Sequence, residues 1–305
     1  MHGSLEELYV EVDMCAHGWE RIIDKSPPVE LCARDIIFGE GPVWDKKNGR
    51  LVFTDIIGDT IWSWKPGVGK QALLNPSVKA NGLALDLENR IVVAGWGGRT
   101  VFRQEHDGSW KTLADKWQGK KLNTPNDIVV KSDGSIWFTD PPGGMYNVGM
   151  VGPDVQRYLE TQPVFRIAPD GKTLSVITED TVYPNGLCFS PDYKLLYLAD
   201  SGQMKVYDVD GSKLRNGRTF AVLKSPDGSP SSADGIRCDN FGNVWCGARP
   251  GVQVVAPEGQ AIGLIRLPET CANICFGGPK RNRLFMAASQ SLYAVYVAAT
   301  GAHIC

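Results

Sequence analysis

The stretch Pro184-Asn185-Gly186-Leu187-Cys188-Phe189-Ser190-Pro191-Asp192 sets a polar residue on a turn, then a short apolar run, then a second turn, and much of the chain repeats it. Related phrases begin at Glu40 (EGPVWD), Asn81 (NGLALD), Asn126 (NDIVVKSDG), Asp234 (DGIRCDNFG) and Asn273 (NICFGG), each opened by a carboxylate or carboxamide side chain. A second apolar run follows each phrase: LVFTD, IVVAGW, SIWFTD, LLYLAD, NVWCGA and RLFMAA. Most of these hairpins continue into a third run, as in TIWSWKP, PVFRIAPDG, MKVYDVDG and SLYAVYV. The openers are 41, 45, 59, 49 and 39 residues apart. A repeat of roughly 40 to 50 residues built from several short strands is the pattern of a β-propeller, one sheet per repeat. Six repeats therefore predict an all-β, six-bladed β-propeller around a central channel. The last repeat stops after three runs, so VELCARD (29–35), or the residues before it, is expected to supply the missing outer strand. Closing the ring in this way removes the exposed edges of an open array.

Length and composition fit one large all-β unit. The chain has 305 residues, and its 34 glycines and 19 prolines suit a fold dense in turns. The expected organisation is a leader of mixed character over 1–28 and a single propeller domain over 29–305. A net charge of −2 argues against nucleic acid or an anionic membrane as partner. No apolar run reaches the length of a membrane span, and no basic segment followed by an apolar one opens the chain. The expected compartment is the cytoplasm, and the expected state a monomer or weak homo-oligomer. Of the eight cysteines, Cys188, Cys238, Cys246 and Cys275 fall inside apolar strands, where cysteine acts as a small hydrophobe. Cys271 and Cys275 have no companion histidines, so zinc is not indicated there. Reduced thiols are expected, with a bridge involving Cys15 or Cys305 as the alternative.

Propeller geometry decides where chemistry can gather. The first strand of each blade lies nearest the axis, and these inner strands run parallel, so equivalent residues form a ring. Glu40, Asn81, Asn126, Asn185, Asp234 and Asn273 are therefore expected at one channel mouth. The ends of the second strands (Asp55, Trp96, Asp140, Asp200, Ala248 and Ser289) should lie on the same face, one strand further out. The longest connection there is PPGGMYNVGMVGPDVQRYLETQ (141–162), an insertion of the kind that often forms a lid.

A ring of oxygen ligands with two formal negative charges, and neither histidine nor cysteine, suits a hard divalent cation such as Ca²⁺, Mg²⁺ or Mn²⁺. An Asn-Gly pair is also a common turn, because both residues tolerate left-handed backbone angles. For Asn81 and Asn273 the expectation is such a turn, or a hydrogen bond across the mouth. Glu40, Asn185 and Asp234 are expected to hold the cation, because no Lys or Arg in the ring compensates the carboxylates. Asn126 is expected as ligand or as a donor to substrate. Asp127 should point away from the ring by strand alternation and cap a turn. Asp55, Asp140 and Asp200 sit at strand ends, where capping competes with substrate contact. The lid residues Met145, Tyr146, Asn147, Met150 and Val151 give a partly apolar cover, with loop packing as the alternative.

The ordered motifs EGPVW, PNDIVVKSDGSIWFTDPP, PNGLCFSPD..LLYLADS and ADGIRCD..GNVW resemble the gluconolactonase, senescence-marker-protein and luciferin-regenerating-enzyme family, over residues 36 to about 295. The resemblance implies a six-bladed propeller with one divalent ion in the channel, and hydrolysis of sugar lactones in many members. It places the metal-binding Glu on Glu40, the Asn ligand on Asn185, the Asp ligand and general base on Asp234, and the Asn contacting metal or substrate on Asn126. Animal members carry an Arg two positions before that Asn, where it helps to hold the sugar. Here the position is Thr124, and Asn123-Thr124-Pro125-Asn126-Asp127 is closer to bacterial lactonase-like members.

The implied chemistry is metal-assisted ring opening, the cation (Ca²⁺ first, with Mn²⁺, Mg²⁺ or Zn²⁺ as alternatives) polarising the lactone carbonyl. Asp234 would deprotonate the attacking water. Asn126, Asp140, Asp200 and Tyr146 are the expected substrate contacts. The four histidines, His2, His17, His106 and His303, all lie outside the ring, and no G-x-S-x-G elbow occurs. Histidine-dyad and Ser-His-Asp mechanisms are thereby disfavoured. A phosphotriester hydrolase on the same scaffold, or a binding platform around a structural ion, remains as the alternative reading.

Overall fold

A computed structural model describes residues 7–9, 12–14, 19–23, 28–146 and 151–303. Cys15, Cys305, His2, His17, Asn147 and Met150 lie outside them.

Six antiparallel sheets follow one another around the axis, as the repeat predicts. The first blade runs from its inner strand Gly39–Asp45 outward through Arg50–Asp55, Thr60–Lys65 and Gly69–Leu74. The inner strands of the next five blades are Ala80–Leu85, Ile128–Val130, Pro184–Phe189, Ile236–Cys238 and Cys271–Gly277. The sixth blade closes as expected, its third strand Leu292–Tyr296 pairing antiparallel with Pro28–Ala33 in the register Ala294 to Glu30. Trp64 of the first blade donates its indole N–H to the Cys32 carbonyl at 2.8 Å, which ties this closing strand to the start of the ring.

Residues set apart as a leader take part in two sheets. Glu7–Tyr9 pairs outside Pro28–Ala33 in the sixth blade, and Val12–Met14 pairs with Ala261–Arg266 in the fifth. Trp19 is fully buried, its ring 6.2 Å from that of Trp245. An outer-edge strand from the residues before VELCARD is within the sequence reading; which blade each segment joins is settled only when the outer strands are in place.

The core is divided among the seams between blades. Val43, Val52, Leu83 and Val93 fill the seam between the first two blades, and Val129, Trp137, Leu187 and Leu198 that between the third and fourth. Because each sheet is covered on both faces, its inner strands read as continuous apolar runs, and all of Ala80–Leu85 is buried. Outer strands such as Lys213–Ala221 are largely exposed. Cys188, Cys238, Cys246, Cys271 and Cys275 are buried in these seams, and among the described residues no disulfide forms. Burial drives the Cys246 thiol far above its ordinary range, consistent with a packing role.

Candidate functional site

Four of the six inner strands begin with a local break in register beside the opener. The ladder shifts between Glu40 and Val43, between Ala80 and Leu83, between Pro184 and Leu187, and between Cys271 and Asn273. Such bulges re-aim a side chain that regular alternation would direct elsewhere. The glycine after the opener has its own function. Gly186 is not a left-handed turn residue: a Cβ there would lie 2.2 Å from the Asp234 carbonyl oxygen, and its N–H donates to that oxygen at 3.1 Å. Gly235 would likewise drive a Cβ into the Asn273 side chain, 2.0 Å from its Cγ. The bare glycine edge therefore lets neighbouring blades approach closely enough for their openers to meet.

Glu40, Asn81, Asn126, Asn185 and Asp234 line one cavity of about 210 Å³ together with Phe38, Ile56, Ile57, Trp96 and Tyr183. The sixth opener reaches the group through a hydrogen bond, Asn273 Nδ2 donating to Glu40 Oε2 at 2.9 Å. Asn273 spends its own amide oxygen on the Ile274 N–H. The amide oxygens of Asn81 and Asn185, by contrast, are buried and accept no hydrogen bond. Two orphaned carbonyl oxygens beside two carboxylates are an unfavourable arrangement unless a positive group joins them. Burial, and next the charge of Asp234, push the Glu40 carboxyl well above its usual range. Asp234 is pushed up to about 7, chiefly by desolvation, against a hydrogen bond from the Asn185 side chain that favours its charged form. This donor set fits a hard divalent cation. Among the described residues no three His, Cys, Asp or Glu side chains form a metal-holding group, so a cation here would rest on two carboxylates and on amide oxygens.

The strand-end carboxylates do a different job from the one expected of Asp140 and Asp200. Asp55 accepts the N–H groups of Ile37 and Phe38, each at 3.0 Å. Asp200 accepts those of Val182 and Tyr183 and pairs with Lys205 at 3.0 Å. Asp140 accepts the N–H of Asn123 at 2.8 Å. Each thus grips the backbone just ahead of its own blade's opener, and none lines the cavity. Asp140 and Asp200, expected as substrate contacts, here accept backbone N–H groups and stand outside the cavity lining. Tyr146 ends the short helix Gly143–Tyr146 and is exposed, although its charge would be felt at Tyr183. Thr124 is buried and locks this helix, its hydroxyl donating to the Pro141 carbonyl at 2.5 Å and accepting the Gly144 N–H at 3.2 Å.

The insertion is held at its far side by Arg99, which donates to the carbonyls of Leu122, Asn123, Asp154 and Gln156. Leu159 joins the seam between the second and third blades, so this part of the insertion is packed against the ring.

Asp140 differs from its two counterparts in having a single backbone donor, and its second oxygen is unpartnered. Burial raises it from 3.8 to about 8. A carboxyl raised by folding keeps its proton in the native state where the unfolded chain has released it. Its stabilising contribution is complete below about pH 4 and is lost as pH rises through about 8. Asp140→Asn keeps an acceptor for Asn123 without the charge. It is expected to melt at a higher temperature than the parent at pH 8.5, with the difference vanishing towards pH 4; thermal melts across that range measure it.

Two features of the site escaped the sequence. Trp96 and Tyr183 line the cavity from the second and fourth blades; Trp96 was placed only as a strand end, and Tyr183 carries no signal apart from preceding an opener by two positions. Asp127 does leave the ring, but it becomes half of a buried ion pair across the channel, with Arg237 Nη1 donating to its Oδ2 at 3.0 Å. The pair lies directly beneath the mouth, and the charge of Asp127 is felt at both Glu40 and Asp234.

Fold and site together define a six-bladed propeller whose axial mouth carries an acidic, oxygen-rich cavity. Residues 38–290 match the family model described as SMP-30/Gluconolactonase/LRE-like region. The chain belongs to that family. It is 32% identical to a gluconolactonase of Zymomonas mobilis subsp. mobilis, over 90% of this chain and 83% of the relative. It is 29% identical to regucalcin of Xenopus laevis, over 82% of this chain and 83% of the relative. A solved gluconolactonase from Xanthomonas campestris superposes with a TM-score of 0.87 at 29% identity, covering 96% of each chain. Among the described residues no helix is long and apolar enough to cross a membrane.

Proposed function

We propose that this protein is a lactonase, a carboxylic ester hydrolase that opens the ring of a sugar lactone or a related lactone. The observation that carries this reading is the convergence of Glu40 and Asp234 with the orphaned amide oxygens of Asn81 and Asn185 in one small cavity, in a chain whose relatives include gluconolactonases. Glu40, Asn126, Asn185 and Asp234 would hold a divalent cation, Ca²⁺ being the best match to an all-oxygen set. Such an ion, when bound, supplies Lewis-acid polarisation of the substrate carbonyl.

The remaining steps belong to the side chains. Asp234 takes a proton from water, whose oxygen bonds to the lactone carbonyl carbon; the ring C–O bond then breaks and the ring oxygen takes that proton from Asp234, leaving a hydroxy acid and the carboxylate restored. Asn185 orients Asp234 by its hydrogen bond. Asn126 supplies an amide to the substrate, and Phe38, Ile56 and Ile57 form an apolar wall that limits water. The test is a pH-indicator hydrolysis screen over sugar, aliphatic and aromatic lactones, with and without chelator. Chelator-sensitive opening of glucono-δ-lactone is expected; if no lactone is opened under any metal condition, the reading fails.

Two results should accompany activity. Glu40→Gln removes one of two carboxylates and is expected to weaken Ca²⁺ binding by roughly a hundredfold, as read by titration calorimetry. Because both carboxyls are raised without an ion, protons compete with the cation. Affinity should therefore fall as pH is lowered from 8 to 6, and a pH-independent affinity would contradict the ligand assignment.

A further inference from the structure

We infer that Tyr183 makes the site selective for hydroxylated lactones, its phenolic O–H donating a hydrogen bond to a ring hydroxyl of the bound substrate. The inference rests on the lactonase reading above and adds the class of lactone to it. Tyr183 lines the same cavity as Glu40, Asn126, Asn185 and Asp234 and lies two residues before Asn185. Its main chain is fixed, the N–H donating to Asp200 Oδ1 at 2.6 Å, and Asp200 is itself anchored by Lys205.

The space for its hydroxyl is provided by the neighbouring helix. A Cβ on Gly143 would lie 1.9 Å from Tyr183 Oη, so only glycine at that position admits the hydroxyl. Among the described residues that hydroxyl has no hydrogen-bond partner, although the side chain is half-buried. A phenol keeps its proton throughout the neutral range and so remains a donor.

Across the cavity, Phe38, Ile56 and Ile57 offer no polar side chain. A ligand carrying hydroxyls on one edge is therefore oriented, with that edge towards Tyr183 and its ester towards Asp234. A lactone without hydroxyls forgoes this hydrogen bond, and the discrimination is the worth of that bond to the hydroxylated ligand.

The experiment compares the parent enzyme with Tyr183→Phe on glucono-δ-lactone and on δ-valerolactone, which has the same ring without hydroxyls. The substitution is expected to raise KM for glucono-δ-lactone about tenfold while kcat changes by less than about twofold, and to leave both constants for δ-valerolactone within about twofold. Equal losses on the two lactones, or no loss on either, overturn the inference. A second arm measures, by calorimetry, binding of anhydroglucitol, a cyclic polyol with ring hydroxyls and no ester. About tenfold weaker binding by Tyr183→Phe is expected. Equal behaviour of the two proteins, including no detectable binding by either, overturns the inference. Should the parent open no lactone of the wider screen under any metal condition, the lactonase reading fails, and the polyol arm still decides the role of Tyr183.

Discussion

Asp234→Asn is expected to reduce kcat for lactone opening by about a hundredfold to ten-thousandfold, the range ordinarily lost with a general base. The substitution is nearly isosteric and keeps one oxygen that could face a cation, so a loss of this size reports on proton transfer more than on the shape of the mouth. Two neighbours and its burial prepare Asp234 for the role. Asn185 donates a hydrogen bond that favours its charged form, whereas desolvation and the charge of Asp127 oppose ionisation and bring the group to about 7. A carboxylate balanced in this way is a stronger base than one in water. The rate should rise with pH as Asp234 loses its proton, and a bound cation should move that rise to lower pH. Activity within tenfold of the parent enzyme, with the fold intact, would remove Asp234 from the chemistry.

The largest effect on stability is expected from Arg237. Its guanidinium is 3% exposed, and that of its partner Asp127 carboxylate 1%, so solvent screens neither. Asp127 also accepts the Ile128 N–H at 2.9 Å, and its charge is felt at Glu40 and Asp234 above it. Arg237→Met would leave that carboxylate buried without its counter-charge, and the expected loss is about 3–5 kcal/mol, measured by denaturant unfolding. The double variant Asp127→Asn with Arg237→Met removes both charges and should recover most of the loss. If the single variant unfolds within about 1 kcal/mol of the parent, the pair does not carry the axis.

Much of the site can be read from the openers because one cause produces both their spacing and their position. A blade needs one short inner strand per repeat, and the residue that starts each strand must face the axis once the blades are arranged in a circle. Glu40, Asn126, Asn185 and Asp234 are therefore brought into one cavity by the same periodicity that identifies the fold. The strand ends are less legible. Asp140 and Asp200 occupy the expected face, but whether a carboxylate there meets substrate or backbone depends on the loop folded over it. In this protein the loop N–H groups of Asn123, Val182 and Tyr183 reach them. The Asn-Gly pairs mislead for a related reason: Asn185-Gly186 has turn composition, but its glycine answers to the adjoining blade and not to a local φ angle.

The count of blades, the closing strand Pro28–Ala33 and the ring of openers follow from alternation and repeat length, which are local properties that every segment carries with it. The partnership of Asp127 with Arg237, two residues 110 positions apart, is instead a product of assembly. So are the opening that Gly143 leaves for the Tyr183 hydroxyl and the docking of Glu7–Tyr9 and Val12–Met14 on separate blades. Each depends on the distance and angle between elements that share no sequence signal. Those quantities exist only after the ring has closed and its seams have packed.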